Sequence, residues 1–579
     1  MSKGKTLATR AKPRSKSAAV IAPAFTKPTS PQPTAVPPLR AHSSAYHYPL
    51  LIEDEGIGKE LLGWFDGIEE ARNMPWRKKW LDPAKHESWE VEFGKLLEKR
   101  AYEVWVSEVM LQQTRVSTVI PYFNTWISKW PTVEALAEAS HDDVLSVWKG
   151  LGYYSRATRL HDGAKAVVTA KDDVPCKIPS AVDALQKIPG IGRYTAGAVS
   201  SIAFGEAEPV LDGNVARVLS RQLGLYVDAK DKKSTDVLWE VADSLVKSVA
   251  GYPKKGRSSD PGQWNQALME LGSTICTPRP KCEECPIQRT CRVYVEGQIL
   301  STKKATVATG VPDIEDACTL CLQLNTEDLA TAPEDAGDDD DDDEGATAPK
   351  STKKRKTEQK PPANTISNYF TSRTTPKPKP DPAAPASSTD TPTSTAESSN
   401  PNKRKAPPAT PSQTRAIATY CSLFPKKMPK KAVPEEDAVV CIISTPSSSS
   451  SSSSSTRRYL IEQRPAKGLL ASLWQFPQQT LLPADKQTPA SRKATARNYV
   501  ASLGLGSLDG GEVRELGSPV HVFTHLKLTM HVVHVGLEGA AEGATSEGKT
   551  ARRWVAAEDM AGATLSTGMR RCWELVAET

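Results

Sequence analysis

No run of about 18 apolar residues occurs in the sequence, so no membrane-spanning helix is expected. No apolar signal-peptide core is visible either, and no secretory address is expected. Cysteine is sparse, ten in 579 residues, which does not make a disulfide scaffold. The cysteines cluster, and clustering points to metal and to a reducing compartment. Acids are missing from residues 1–45, where eight Lys and Arg stand among Ala, Pro and Ser. That arm reads as a disordered basic tail, for nucleic acid or for nuclear or mitochondrial targeting, with a plain solvated tail as the alternative. The net charge is only +6, so the patterning of charge carries more than its total. The 45 prolines and long polar tracts leave much of the chain outside any core.

From Tyr46 to Tyr294 the apolar residues recur at helical spacing, and strand-like alternation is scarce. The expectation is an all-α unit of roughly ten helices. Ser140 and Ser180 stand at helix starts. Its centre is Leu185–Arg217. There Pro189-Gly190-Ile191-Gly192 makes a tight turn ahead of a helix, which suits a phosphate. Asp212 opens a second helix, followed by Gly213 and Asn214. An ordinary helix–turn–helix joint with Asp212 as plain N-cap fits the same residues.

Glu108 lies among Val104, Trp105, Val106, Val109, Met110 and Leu111. Desolvation there raises a carboxyl pKa and suits a general acid; a place on the wet face is the alternative. Gly150-Leu151-Gly152-Tyr153-Tyr154-Ser155-Arg156 offers either an aromatic wedge or a helix joint with core tyrosines. Cys276, Cys282, Cys285 and Cys291 form C-x5-C-x2-C-x5-C, a spacing closer to an iron–sulfur loop than to a zinc module. Arg279, Lys281, Arg289 and Arg292 in that loop could meet a phosphate backbone.

Taken together, Met74–Arg77 (MPWR), Ser107–Thr114 (SEVMLQQT), Gly150–Arg156, Pro189–Gly197 (PGIGRYTAG), Leu211–Val218 (LDGNVARV), Trp264–Gly272 (WNQALMELG) and the cysteine loop resemble the MutY-type adenine DNA glycosylases of the helix–hairpin–helix superfamily. The resemblance implies removal of adenine opposite 8-oxoguanine, and of adenine opposite guanine, from duplex DNA by a monomer. By the same resemblance Glu108 is the general acid, and Asp212 stabilises the oxocarbenium ion or bonds to it covalently. Tyr194 and Asn214 support the site. Trp76, Arg77 and Gln266 line the adenine pocket. Gln113 and Tyr153 fill the stack, and Gly190 and Gly192 grip a phosphate. The four cysteines are expected to hold one [4Fe–4S] cluster. The family's first cysteine gap is six residues and here it is five, so the loop must be tighter. Related endonuclease III-like enzymes carry a lysine where Tyr194 stands, so efficient strand cutting is not expected. A glycosylase/lyase of that kind and a non-enzymatic lesion-binding protein are the two other classes weighed.

Four segments are expected: a basic arm at 1–45, the glycosylase domain at 46–294, a disordered linker at 295–431 and a Nudix-like domain at 432–579. His47, Cys318 and Cys321 resemble part of a linker zinc site found in some family members, but give only three ligands. Asp338–Asp343 is acidic, while Lys353–Lys356 and Lys403–Lys405 read as nuclear import signals, with a mitochondrial share left open. Ile366, Tyr369 and Phe370 are spaced like a sliding-clamp-binding box, although Ala363 stands where glutamine is usual. Beyond Ala432, Ala438–Ser444 and Tyr459–Arg464 read as a strand pair around the serine run at Ser447–Ser455. Val520–Thr524 and Leu528–Val535 read as further strands, and Arg570–Val576 as a closing helix. Asp485 is the only acid between Gly468 and Gly506, so the domain should bind rather than hydrolyse. Phe523, Thr524 and His525 resemble the loop that reads 8-oxoguanine.

Overall fold

The computed structural model describes residues 27–28, 32, 34–37, 40–85, 90–170, 176–302, 317–324, 410–429, 432–446, 457–465, 470–482, 488–506, 512–523, 526–537 and 551–577. The chain divides into two compact units, Met1–Ala71 with Ala207–Met428, and Arg72–Glu206 with Pro429–Thr579.

The first unit is helical. The Gly213–Leu223 helix starts at Asp212, whose carboxylate accepts the Val215 N–H, and stops at Gly224 with φ 68°. Lys232–Ala250 is punctuated the same way, by Asp231 and by Gly251 at φ 66°. Both bury their apolar faces against Asp260–Thr274, which contributes Trp264, Leu268 and Leu271. A Cβ added at Gly272 would lie 2.6 Å from the Asn214 Cβ and 2.9 Å from its backbone. Glycine there lets the third helix press against the start of the first.

Arg292–Ser301 follows the last loop cysteine and buries Glu296 completely. The Glu296 carboxylate accepts Arg40 Nε at 3.0 Å and Nη2 at 2.8 Å, the Tyr46 hydroxyl at 2.8 Å and the Tyr420 hydroxyl at 2.6 Å. Tyr420 lies on a helix, Pro411–Ser422, inside the stretch read from sequence as linker. Residues 295–302, 317–324 and 410–429 of that stretch are structured. The missed signal was a Thr410–Gln413 capping box ahead of Ile417, Tyr420 and Cys421.

In the second unit the Glu90–Leu111 helix is central. Every residue from 101 to 110 is buried, so its sequence carries little helical amphipathicity. Val116–Lys129, Ser155–Thr169 and Arg193–Ala198 pack around it. Ser140 caps His141–Val147 by accepting the Asp143 N–H. Ser180 does not cap. Ala181 stands at that position, and the Ser180 carbonyl accepts the Ser200 hydroxyl at 2.7 Å.

The C-terminal part of this unit is an eight-stranded sheet. Its strands are β1 (Glu435–Pro446), β2 (Arg457–Gln463), β3 (Trp474–Gln475), β4 (Gln478–Thr480), β5 (Val513–Gly517), β6 (Val520–Val522), β7 (Lys527–Gly536) and β8 (Arg552–Ala556). β1 pairs in parallel with β7 and antiparallel with β2 and β4. Val440 and Ile442 face a core closed by Met569 and Cys572 of the Thr567–Ala577 helix. Val439, Cys441 and Ile443 face a second core closed by Ala496 and Val500 of Pro489–Ser502. Helices thus cover both faces, and β1 reads as a continuous apolar run. The expected pairing of Ala438–Ser444 with Tyr459–Arg464 is present; the serine run between them lies outside the described residues. β3, β4, β5, β8 and the Pro489–Ser502 helix were not legible in the sequence.

Removing one partner of a buried ion pair costs about 3–5 kcal/mol, because the other charge is left without compensation. Glu296→Ala is therefore expected to lower stability by that amount in chemical denaturation. A double variant, Arg40→Met with Glu296→Leu, should lose distinctly less. Equal losses would show that the charges do not carry this junction.

Candidate active site and metal centres

Glu108 is placed by the last turn of Glu90–Leu111 and is only 6% exposed. The wet-face alternative does not hold. The Tyr194 hydroxyl donates to Glu108 Oε2 at 2.6 Å. Tyr194 reaches it from Arg193–Ala198, which packs on the same helix and runs on into a π-turn, Val199–Ala203. A buried carboxyl with one directed hydroxyl can hold a proton away from water.

Asp212 belongs to the other unit. Its Oδ1 accepts the Val215 N–H at 2.7 Å and its Oδ2 the Asn214 amide at 2.9 Å. Asn214 is fixed in turn by Arg217, whose Nη2 donates to Asn214 Oδ1 at 2.8 Å and to the Gly272 carbonyl at 2.7 Å. Burial pushes the Asp212 carboxyl above the ordinary aspartate range, while the Val215 N–H, Asn214 and Arg217 pull it back. Asp212 is thus an N-cap and also a held carboxylate with a supporting shell. Arg217 was not singled out from sequence; its i+3 spacing from Asn214 is the signal that could have found it.

Gln113 and Tyr153 both have left-handed backbones, φ 56° and 45°. Such a conformation costs about 1–3 kcal/mol in a non-glycine residue and must be held by its surroundings. Arg156 does the holding. Its Nη1 donates to the carbonyls of Val109, Met110 and Gln112, and its Nη2 to those of Leu151 and Gly152. One guanidinium therefore joins the turn that carries Gln113 to the turn that carries Tyr153. Burial brings its pKa down to about 10, which leaves it charged at neutral pH. Tyr153 stays 45% exposed, whereas Tyr154 is buried.

At the hairpin, Gly190 has φ 84°, and a Cβ there would lie 2.8 Å from the Arg159 Cβ. Gly192 precedes Arg193–Ala198 and faces open space. Trp76 is buried edge-on against Phe123, with its carbonyl accepting Arg100. Arg77 is half-buried, and Gln266 bonds back to the Gly262 carbonyl of its own helix. Phe523 stacks edge-on with His521, ring centroids 4.4 Å apart, just beyond β6. Thr524 and His525 lie outside the described residues, as do Ile366, Tyr369 and Phe370.

Cys276, Cys282, Cys285 and Cys291 line one cavity, despite the short first gap. Arg221 donates to Cys276 Sγ at 3.2 Å and to the Thr277 carbonyl at 2.7 Å. A soft donor set with a buried cation beside it suits an anionic metal–thiolate group. Of the loop's basic residues, Arg279 and Lys281 are exposed. Arg289 pairs with Glu60 and Asp54, and Arg292 is buried over the Tyr46 ring.

The linker site is better furnished than the sequence suggested. His42, His47, Cys318 and Cys321 place their ligand atoms within 4.8 Å of one another. His47 Nε2 is 3.1 Å from His42 Nε2, 3.3 Å from Cys318 Sγ and 3.4 Å from Cys321 Sγ. Each histidine turns its Nδ1 to a carbonyl, His42 to Arg40 and His47 to Leu223. That leaves both Nε2 atoms aimed inward, the second-shell pattern of metal-binding histidines. The fourth group that could serve as a ligand beside these three is His42, five residues before His47 in the motif AHSSAYH.

Residues 106–243 match the HhH-GPD superfamily base excision DNA repair protein model, and residues 453–575 match the NUDIX domain. The adenine DNA glycosylase of Homo sapiens is 32% identical over 547 residues, covering 93% of this chain and 77% of that protein. The adenine DNA glycosylase of Arabidopsis thaliana is 40% identical over 262 residues, 42% of this chain and 37% of that one. A solved C-terminal domain of mouse MUTYH, in complex with human PCNA, is 25% identical with a TM-score of 0.20, covering 25% of this chain and 88% of that chain. With such an extent shared with a curated relative, and both halves matched to models, this chain belongs to the adenine DNA glycosylase family.

Proposed function

We propose that this adenine DNA glycosylase acts on adenine opposite 8-oxoguanine, and opposite guanine, in duplex DNA, and leaves the strand uncut. The observation that carries the reading is the buried Glu108 carboxyl under the Tyr194 hydroxyl. Glu108 protonates the departing adenine at N7. Asp212, held by Asn214 and the Val215 N–H, meets the positive charge that develops on the sugar. Tyr194 carries no amine, so the sugar is not attacked as in glycosylase/lyases.

Flipping the nucleotide costs a few kcal/mol, and least at a mispair. Gln113 and Tyr153, pinned by Arg156, fill the space left in the stack. Trp76, Arg77 and Gln266 serve the adenine pocket, and the Gly190–Gly192 hairpin takes a phosphate. Phe523, Thr524 and His525 read the oxidised guanine.

The four loop cysteines hold a [4Fe–4S] cluster, which when bound supplies a redox-active anchor for the loop. His42, His47, Cys318 and Cys321 hold zinc. By sequence alone, Ile366, Tyr369 and Phe370 dock a sliding clamp, and the lysine clusters direct the enzyme to the nucleus.

In a single-turnover assay on duplexes with adenine opposite 8-oxoguanine, the enzyme should release adenine and leave an alkali-labile, uncut strand. Glu108→Gln and Asp212→Asn should each lower that rate by about 10²–10⁴-fold while still binding the duplex. Strand cutting without alkali would favour a lyase, and intact DNA under tight binding a passive protein.

The pH profile carries a sign. Asp212 works as a carboxylate, so activity falls as pH drops through its pKa. Because burial raises that pKa, the acid limb should stand above the ordinary aspartate value of about 3.9. Asn214→Ala removes a stabilising hydrogen bond and should move the limb to higher pH; a limb that stays put would assign it to another group.

For the linker site, metal analysis of the purified chain should find zinc at about one per molecule. His42→Ala should lose it as fully as Cys318→Ala does. Zinc retained by the His42 variant would show that the fourth ligand comes from elsewhere.

A further inference from the structure

Residues 73–82, which include Trp76 and Arg77, form neither helix nor strand. Asn73 opens the segment with a left-handed backbone, φ 41°. The Arg77 N–H closes one turn on the Met74 carbonyl at 3.0 Å. Carbonyls in such a stretch have no helix or ladder to join and need donors from elsewhere. Arg100 supplies two of them. It is 5% exposed and stands on the Glu90–Leu111 helix. Its Nη1 donates to the Trp76 carbonyl, and its Nη2 to the Lys78 carbonyl at 2.9 Å. One guanidinium thus grips the backbone on either side of Arg77. Lys78 adds a second clasp, its Nζ donating to the Glu103 carboxylate at 2.5 Å. Glu103, 2% exposed, follows Arg100 by three residues and so neighbours it on the helix surface.

The same helix carries Glu108 in its last turn. Arg100 stands about 12 Å from Glu108 along the axis, at a rise of about 1.5 Å per residue. The irregular segment and the general acid are therefore mounted on one rod. Arginine suits the task, because its planar fork can meet two acceptors at fixed spacing, which a lysine cannot. We propose that Arg100 is a positioning residue that sets the segment of Trp76 and Arg77 against Glu108, and so decides how firmly the flipped base is held before its bond breaks. The proposal rests on the reading of Trp76 and Arg77 as adenine-pocket residues given above. Loss of this grip should be felt through the base and not through the DNA backbone.

The test uses the full chain and two duplexes that carry 8-oxoguanine in one strand. Opposite it, the first has adenine on a 2′-fluorinated sugar, whose glycosidic bond resists cleavage because fluorine disfavours positive charge on the ring. The second has an abasic analogue, with the backbone but no base. Wild type, Arg100→Met and Arg100→Lys are compared for Kd on both. In Arg100→Met the Kd for the adenine duplex should rise about tenfold, the worth of one charged hydrogen bond, and that for the abasic duplex should stay within about twofold. Arg100→Lys keeps the charge but not the fork. It should show the same selective loss at smaller size, and it decides the matter if the Met variant does not fold. Equal weakening on both duplexes, or on neither, overturns the proposal, since Arg100 then serves the fold alone. Wild-type protein that releases no adenine from the unmodified mispair would overturn the adenine reading itself.

Discussion

The first unit depends on one buried carboxylate. Glu296 gathers hydrogen bonds from Arg40 and Tyr46, on one segment, and from Tyr420, on another far along the chain. A charge out of water tolerates no vacancy among its partners. Each segment is therefore fixed in position as well as attached. Arg40 also donates to the Gly224 carbonyl and offers its own carbonyl to His42. Tyr420 stands beside Cys421. Through these neighbours a single acid orders the histidine–cysteine group on one side and the lid of the cysteine cavity on the other.

Arg156 plays the corresponding part in the second unit, with the sign reversed. Its guanidinium satisfies backbone carbonyls that two irregular turns leave without helical partners. The result is a pair of side chains, Gln113 and Tyr153, displayed from strained backbone at fixed spacing. Such strain is kept only where the surroundings over-determine it. Glu108 gains its environment more simply, from a helix buried all round, and Tyr194 gives it one directed bond.

Family membership and local chemistry answer different questions. The match to human adenine DNA glycosylase spans nearly the whole chain and fixes the enzyme class. It does not say why Asp212 sits where its charge is costly. The Asn214–Arg217–Gly272 chain does, because each member is held by the next and the last is a glycine that permits the approach.

How much of this was legible from residues alone follows from the range of the interactions. Helix starts at Ser140 and Asp212 and the buried company of Glu108 are set by neighbours within a few positions, and the cysteine loop and the β1–β2 pairing by residues within one short stretch of chain. The sequence by itself determined those, because capping, burial pattern and ligand spacing are local. It missed what depends on distant partners. His42 became a candidate ligand only when folding brought it to Cys318 and Cys321. Pro411–Ser422 looked like linker because its few apolar residues are meaningful only against the cysteine loop. Short strands such as β3 and β4 carry too few residues for a period to show. The tertiary structure alone decided these, since a buried hydrogen bond is worth making only once both partners have left water together.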